Sequence, residues 1–126
     1  MSNAPAAASE TAAVAAAIRP YLDGAVSGSS DAMKPAFHPD ANIYGYIGPD
    51  LFGGPIQGLY DWHDSNGAAA ELESRIANID IEGTIATVRL ELDNWTGHRF
   101  TDMFTLLKTD GEWKIISKVF YLHPEA

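Results

Sequence analysis

Apolar positions along this chain change period from helical to alternating at about its midpoint. Near the start, Val14, Ile18, Tyr21, Leu22 and Ala25 recur at i, i+4, i+7, i+8 and i+11, one apolar stripe of an amphipathic helix. Pro20 interrupts that stripe. Proline inside a helix removes a backbone hydrogen bond and costs up to about 3 kcal/mol, so a bend over residues 16–20, or a late helix start, is expected. Gly28-Ser29-Ser30 ends the element, and a short helix begins at Ser30 or Asp31 and runs through Met33 to Phe37, with Pro35 tolerated in its first turn. His38-Pro39-Asp40 breaks it. Residues 42–47 read as a strand with Tyr44 and Tyr46 on one face and Ile43, Gly45 and Ile47 on the other. Gly48-Pro49-Asp50 is a turn, and Leu51-Phe52 is too short to assign. Beyond Gly53-Gly54-Pro55, the residues Ile56, Leu59, Tyr60 and His63 fall at i, i+3, i+4 and i+7. They predict a helix with His63 on its apolar stripe and Trp62 to one side.

From residue 71 the period is two. Residues 71–95 form two strands divided by the Glu82-Gly83 turn, and in the second Val88, Leu90 and Leu92 alternate with Thr87, Arg89, Glu91 and Asp93. Thr96-Gly97-His98 turns the chain into a ribbon over residues 99–123 that folds back at Asp110-Gly111, a strong hairpin signal. Pairing its arms sets Phe104 near Lys118, Leu106 near Ile116 and Asp102 near Phe120. One face then carries Asp102, Phe104, Leu106, Ile116, Lys118 and Phe120, apolar except for one carboxylate and one ammonium lying diagonal to each other. A solvated face would hold more charge and a plain core face none, so this face is expected to line a cavity. Trp113 falls on the opposite face, suited to the sheet surface or a dimer interface. Helices early and strands late define an α+β fold, with the helices covering one face of a bent sheet.

The 126 residues suit one domain, expected over residues 9–126 behind a mobile tail of small residues at 1–8. Seventeen acidic against eight basic residues give a formal charge of −9, which argues against nucleic acid and anionic membrane as partners. The absence of cysteine removes disulfides, thiolate metal sites and thiol nucleophiles. The Ala-rich start has no basic segment or Leu-rich core of a signal peptide, and no apolar run approaches a membrane span, so a cytoplasmic location is expected.

Three stretches carry a family likeness: IRPYLDGAVSGSSDAMKPAFHPDA at residues 18–41, PIQGLYDW in mid-chain and FTDMFTLLKTDGEWKIISKVFY near the end. With them the chain resembles the NTF2-like superfamily, the cone-shaped fold of ketosteroid isomerases, scytalone dehydratase and polyketide cyclases, and most closely the bacterial group named for lumazine binding. The resemblance spans most of residues 14–121. It implies a curved, mostly antiparallel sheet wrapped around a long N-terminal helix with two shorter helices, a pocket at the wide end of the cone, and homodimers joined through the sheet. It carries over no activity, because this fold hosts isomerases, dehydratases, cyclases and non-catalytic binders. Neither the isomerase tyrosine-aspartate pair nor the dehydratase histidine-aspartate dyad transfers onto residues here.

Asp102 and Lys118 are the first candidates for chemistry, since a low-dielectric pocket would strengthen their attraction and poise one of them to move a proton or hold a polar ligand group. The plainer reading is an ion pair that fixes strand register. His63 is the candidate general base because histidine titrates near neutral pH, against the plainer reading of a hydrogen-bonded core residue. His38 suits a cap or turn, while His98 and His123 are expected to be solvated. The expected ligand-lining set is Tyr21, Tyr46, Phe52, His63, Asp102, Phe104, Lys118 and Phe120, although a domain of this size also needs such aromatics for its core. The histidine spacing suggests no metal, no GxSxG elbow is present, Gly53-Gly54-Pro55 lacks the lysine of a phosphate loop, and no cofactor is implied. The expected function is binding of a modest apolar or aromatic metabolite in the cone. Its rivals are an isomerase, dehydratase or cyclase using His63 or Asp102 as base, and a non-catalytic interaction module.

Overall fold

The computed structural model describes residues 4–124, with side chains from residue 9 onward. Helices α1 (Ala4–Ala17) and α2 (Arg19–Ser27) lead into α3 (Ser30–Met33), a 3-10 turn at Lys34–Ala36, strands β1 (Phe37–Ile47) and β2 (Asp50–Pro55), and helix α4 (Gln57–Asn66). Strands β3 (Glu73–Glu82), β4 (Ile85–Trp95), β5 (His98–Thr109) and β6 (Glu112–Leu122) complete the chain. They form one six-stranded sheet in the order β2-β1-β6-β5-β4-β3, antiparallel except where β1 runs parallel to β6. This is the expected α+β architecture, helices on one face of a curved sheet.

Proline sets the helix break. Ile18 separates α1 from α2 and Pro20 lies in the first turn of α2, where its missing N–H has no intrahelical partner to lose. The stripe survives the bend, because Val14, Ile18, Tyr21 and Ala25 are all buried. α1 begins at Ala4, consistent with the helix propensity of its alanines. Of the expected tail over residues 1–8, residues 1–3 lie outside the described residues. Glu10 receives Lys108 at 3.0 Å, fastening α1 to β5.

β1 opens at Phe37, earlier than expected, because its register with β6 shifts between Phe37 and Asn42 and so accommodates Pro39. The unassigned Leu51-Phe52 belongs to β2, which pairs with β1. In the β5–β6 hairpin, Asp110 and Gly111 adopt the positive φ of 53° and 80° that a tight turn requires. Asp102 pairs with Phe120 and Phe104 with Lys118, as expected, but Leu106 pairs with Ile115 and not with Ile116, since a bulge follows the Thr105–Ser117 pair. The extra residue reverses the alternation beyond it. Trp113 and Ile115 therefore turn into the core on the same side as Lys118, correcting the surface position expected for Trp113.

At Gly24 helix α2 packs tightly against the start and end of α3. A Cβ there would stand 2.5 Å from Met33 Cγ and 2.7 Å from the Ser29 carbonyl oxygen. Gly24→Ala is expected to lower stability by about 1–2 kcal/mol, overpacking outweighing alanine's helix propensity. Urea denaturation checks this, and an unchanged or higher midpoint would contradict it.

Candidate functional site

Desolvation dominates the inner face of β5 and β6. Asp102 is 0% exposed and Lys118 4%, and Lys118 Nζ donates to Asp102 Oδ1 at 3.3 Å. The helix bend brings Tyr21 against the same carboxylate, its hydroxyl donating to Oδ2 at 2.9 Å. Lys118 Nζ also lies 5.5 Å from the Tyr21 ring centroid and 4.9 Å from that of Phe120. One carboxylate is thus shared by two donors among aromatic walls.

Burial pushes each member of this cluster toward its neutral form. It raises the Asp102 carboxyl above its ordinary range, although Lys118 and Tyr21 oppose the shift, and Glu91 adds to it. It lowers the Lys118 ammonium, with Asp102 opposing. It raises Tyr21 well above its usual value, and the Asp102 charge adds to that, so Tyr21 remains a hydroxyl donor.

The cluster forms part of the wall of a narrow cavity of about 40 Å³, room for about three water molecules. Ile43, Leu59, Trp95 and Phe120 are buried lining residues, while Ile47, Phe52, Trp62 and Phe100 are less buried. Phe52 and Phe100 meet Phe120 edge-on with ring centroids 6.1 and 5.9 Å away. Trp95 is buried, and its indole N–H has no hydrogen-bond partner among the described residues.

Five of the eight expected lining residues come together here: Tyr21, Phe52, Asp102, Lys118 and Phe120. The other three do not. Tyr46 is 62% exposed on the outer face, because strand alternation aims it away from Ile43. Phe104 is buried in the core, edge-on to Tyr21 at 5.7 Å. His63 is buried outside the lining, with Nε2 3.0 Å from the Gly24 carbonyl oxygen. That oxygen can only accept, so Nε2 carries the proton and ties α4 to α2. This is the plainer reading of His63, and it corrects the placement expected for a pocket base. His38 accepts the Asp40 N–H at 3.0 Å, a turn role. His123, expected in solvent, instead contacts Thr101 Oγ1 at 2.8 Å.

Sequence reasoning missed Trp62, Trp95, Phe100, Ile43, Ile47 and Leu59 as lining residues. Phe100 carried a usable signal, since it shares the alternation of Asp102 and Phe104. Trp95 did not, because a register shift between Leu92 and Trp95 hides its side of the sheet. No cluster of three His, Asp or Glu side chains suited to a metal occurs among the described residues. No helix among them is long and apolar enough to cross a membrane.

A curved sheet closed by helices around a buried polar cluster is the NTF2-like, or cystatin-like, class of protein. The chain belongs to the family described as "Putative lumazine-binding", whose model matches residues 9–121. It is similar to an NTF2-like protein from Methylobacillus flagellatus KT, with a TM-score of 0.90, 50% identity and coverage of 92% of this chain and 94% of that one. A second NTF2-like structure, from Shewanella baltica OS155, is 40% identical at a TM-score of 0.88, covering 94% of this chain and 97% of that one. Aldolase FrzH of a Cladobotryum species is 35% identical over 117 residues, which is 92% of this chain and 94% of that enzyme.

Removing Lys118 would leave a buried carboxylate without its cation. Lys118→Met is expected to destabilise the protein by about 3–5 kcal/mol at neutral pH. A carboxyl raised in the folded state binds protons there that the unfolded chain does not, so the deficit shrinks as pH falls toward the ordinary 3.8 of an aspartate. Urea melts of both proteins across the acid range test this. A deficit independent of pH would show that Asp102 is not the group left uncompensated.

Proposed function

We propose that this protein binds a small carbonyl compound with an apolar or aromatic body and moves a proton at the carbon next to the carbonyl. The carrying observation is the hydrogen bonding of Tyr21 and Lys118 to the opposite oxygens of Asp102 beside an apolar cavity. Asp102 is the base, and burial strengthens it. Lys118 commits one hydrogen bond to Asp102, and its remaining N–H groups serve the oxygen on which charge develops. Tyr21 spends its single proton on Asp102 and acts as a positioning residue. The inner cavity admits only the carbonyl end, and the body lies along Phe52, Trp62 and Phe100. The likeness to an aldolase supports this class of chemistry, because an aldol reaction begins with proton removal beside a carbonyl. Binding without turnover is the second reading, favoured by the family's description and by the small cavity.

The test is exchange of the α-protons of benzylacetone into deuterated water, followed by NMR. Asp102→Asn should reduce exchange by about 10²–10⁴-fold. Tyr21→Phe removes a hydrogen bond that lowers the Asp102 carboxyl, so the acid limb of the rate profile should move to higher pH. Saturable binding with no exchange would leave the second reading.

We also infer that the outer face of the sheet pairs with a second copy of the chain. Tyr44, Tyr46, Leu51, Met103, Val119 and Tyr121 are exposed and lie in register across β2, β1, β6 and β5. So much exposed apolar surface calls for a partner, and Tyr121→Glu should convert a dimer to a monomer in light scattering. Wild-type protein that is monomeric at micromolar concentration would refute the pairing.

A further inference from the structure

We propose that Lys118 is a nucleophile, condensing through its amine with an apolar aldehyde or methyl ketone in the cavity to form a Schiff base while Asp102 handles the protons. This rests on the reading of the cavity as a site for carbonyl compounds.

Among the lysines of the chain, Lys118 has distinctive surroundings. Lys34, Lys108 and Lys114 reach Asp31 at 2.7 Å, Glu10 at 3.0 Å and the Pro35 carbonyl at 2.7 Å, all at or near the surface. Lys118 projects from the middle of β6 into the interior, where its ammonium does not extend to bulk solvent as a long side chain usually does. Its one hydrogen-bond partner among the described residues is Asp102, and 3.3 Å is long for a charged pair, so the nitrogen is loosely held. Desolvation is a recognised way to free a lysine amine for carbonyl chemistry. The lowered proton affinity of Lys118 agrees with it.

The same walls suit the condensed species. The aromatic rings that flank Nζ attract a cation, and a protonated Schiff base carries the same charge in nearly the same place. Tyr21 holds the other oxygen of Asp102, so the carboxylate keeps its orientation when the lysine nitrogen changes partners.

The proposed reaction balances without any oxidant or reductant. Asp102 takes a proton from the ammonium, and the freed lone pair adds to the carbonyl carbon while the C=O π electrons move to oxygen. Asp102 returns its proton to that oxygen, a second proton comes from the nitrogen, and the oxygen leaves as water as C=N forms. Two of the three ammonium protons leave in that water and the third stays on nitrogen, so the Schiff base forms already protonated and no proton is drawn from solvent. Asp102 then removes an α-proton to give the enamine. The enamine carbon adds to a second carbonyl carbon, forming the C–C bond as that C=O gives its π electrons to oxygen, which takes the proton held by Asp102. Water then adds to C=N and releases the product as a carbonyl, with Lys118 returned as an ammonium.

The experiment exposes wild-type protein to acetone or benzylacetone with cyanoborohydride, which reduces C=N to a stable secondary amine, and maps the label by peptide mass spectrometry. The expected result is an adduct on Lys118 at least tenfold ahead of Lys34, Lys108 and Lys114, with labelling at least tenfold slower in Asp102→Asn. Label spread evenly over the lysines, or absent from Lys118, overturns the proposal. The mapping uses the unaltered chain, so a variant that fails to fold does not blunt it. Ketone α-proton exchange separates the two claims: exchange without labelling overturns only the covalent step, whereas neither exchange nor labelling removes both.

Discussion

Burial of Asp102 and Lys118 is the constraint that the rest of the structure has to satisfy. Taking a carboxylate and an ammonium out of water carries an effective penalty on the order of several kcal/mol per ion, recovered only when geometry and further hydrogen bonds are right. Three separate features of the chain supply that geometry. The hairpin register sets Asp102 opposite Phe120 and Lys118 opposite Phe104, which makes the two charges diagonal neighbours on one face. The bend at Ile18 allows α2 to present Tyr21 to the second carboxylate oxygen. The bulge after Thr105 turns Trp113 and Ile115 inward without disturbing the paired residues nearer the cavity. A one-residue slip of β6 would carry Lys118 to the opposite face and leave Asp102 unpaired.

Adjacent rungs of the sheet show how far surroundings, rather than residue type, decide protonation. Leu90 pairs with Asp102, and the next residue of β4, Glu91, pairs with Thr101, so the two carboxylates face opposite sides of the same ribbon. Both are buried. Burial works against ionisation of Glu91, yet Thr101, Arg89 and Arg99 all bond to it and hold it below its ordinary range. Asp102 has one cation and one phenol, and for it burial prevails. A readily ionised acid on the outer face and a strengthened base on the inner face result from the number of donors around each.

The fold was legible because its signals are local. Period-two alternation, the Asp110-Gly111 turn and the helical stripe through Val14, Ile18, Tyr21 and Ala25 each arise from near-neighbour sterics and burial. The Asp102–Lys118 pair was legible for the same reason, since a single hairpin turn fixes it. The features that failed to show depended on contacts distant in sequence. The Tyr21 hydroxyl meets a carboxylate 81 positions away, and nothing within α2 announces that partner. His63 shares its stripe with residues that face the interior, but whether that interior is cavity or core depends on the Gly24 carbonyl. Tyr46 is the exception, because its alternation with Ile43 already argued for the outer face. Trp113 was lost to the bulge, which alternation alone cannot foresee.

The same desolvation that makes the cluster costly couples occupancy to reactivity. With about 40 Å³ of inner space beside the pair, room for about three water molecules, an apolar ligand that fills it keeps water from the charges. Every molecule removed weakens the charged forms relative to the neutral ones, in the direction in which Asp102 and Lys118 are already displaced. Transfer of one proton from ammonium to carboxylate then turns an ion pair into an amine and a carboxylic acid, the two species that carbonyl condensation consumes. Tyr21 limits how far this goes, because its hydrogen bond favours the carboxylate. Under the proposed chemistry, the empty site rests as a compensated ion pair and ligand burial supplies the shift toward the reactive form, so that the cost of burying the charges is also the source of their reactivity.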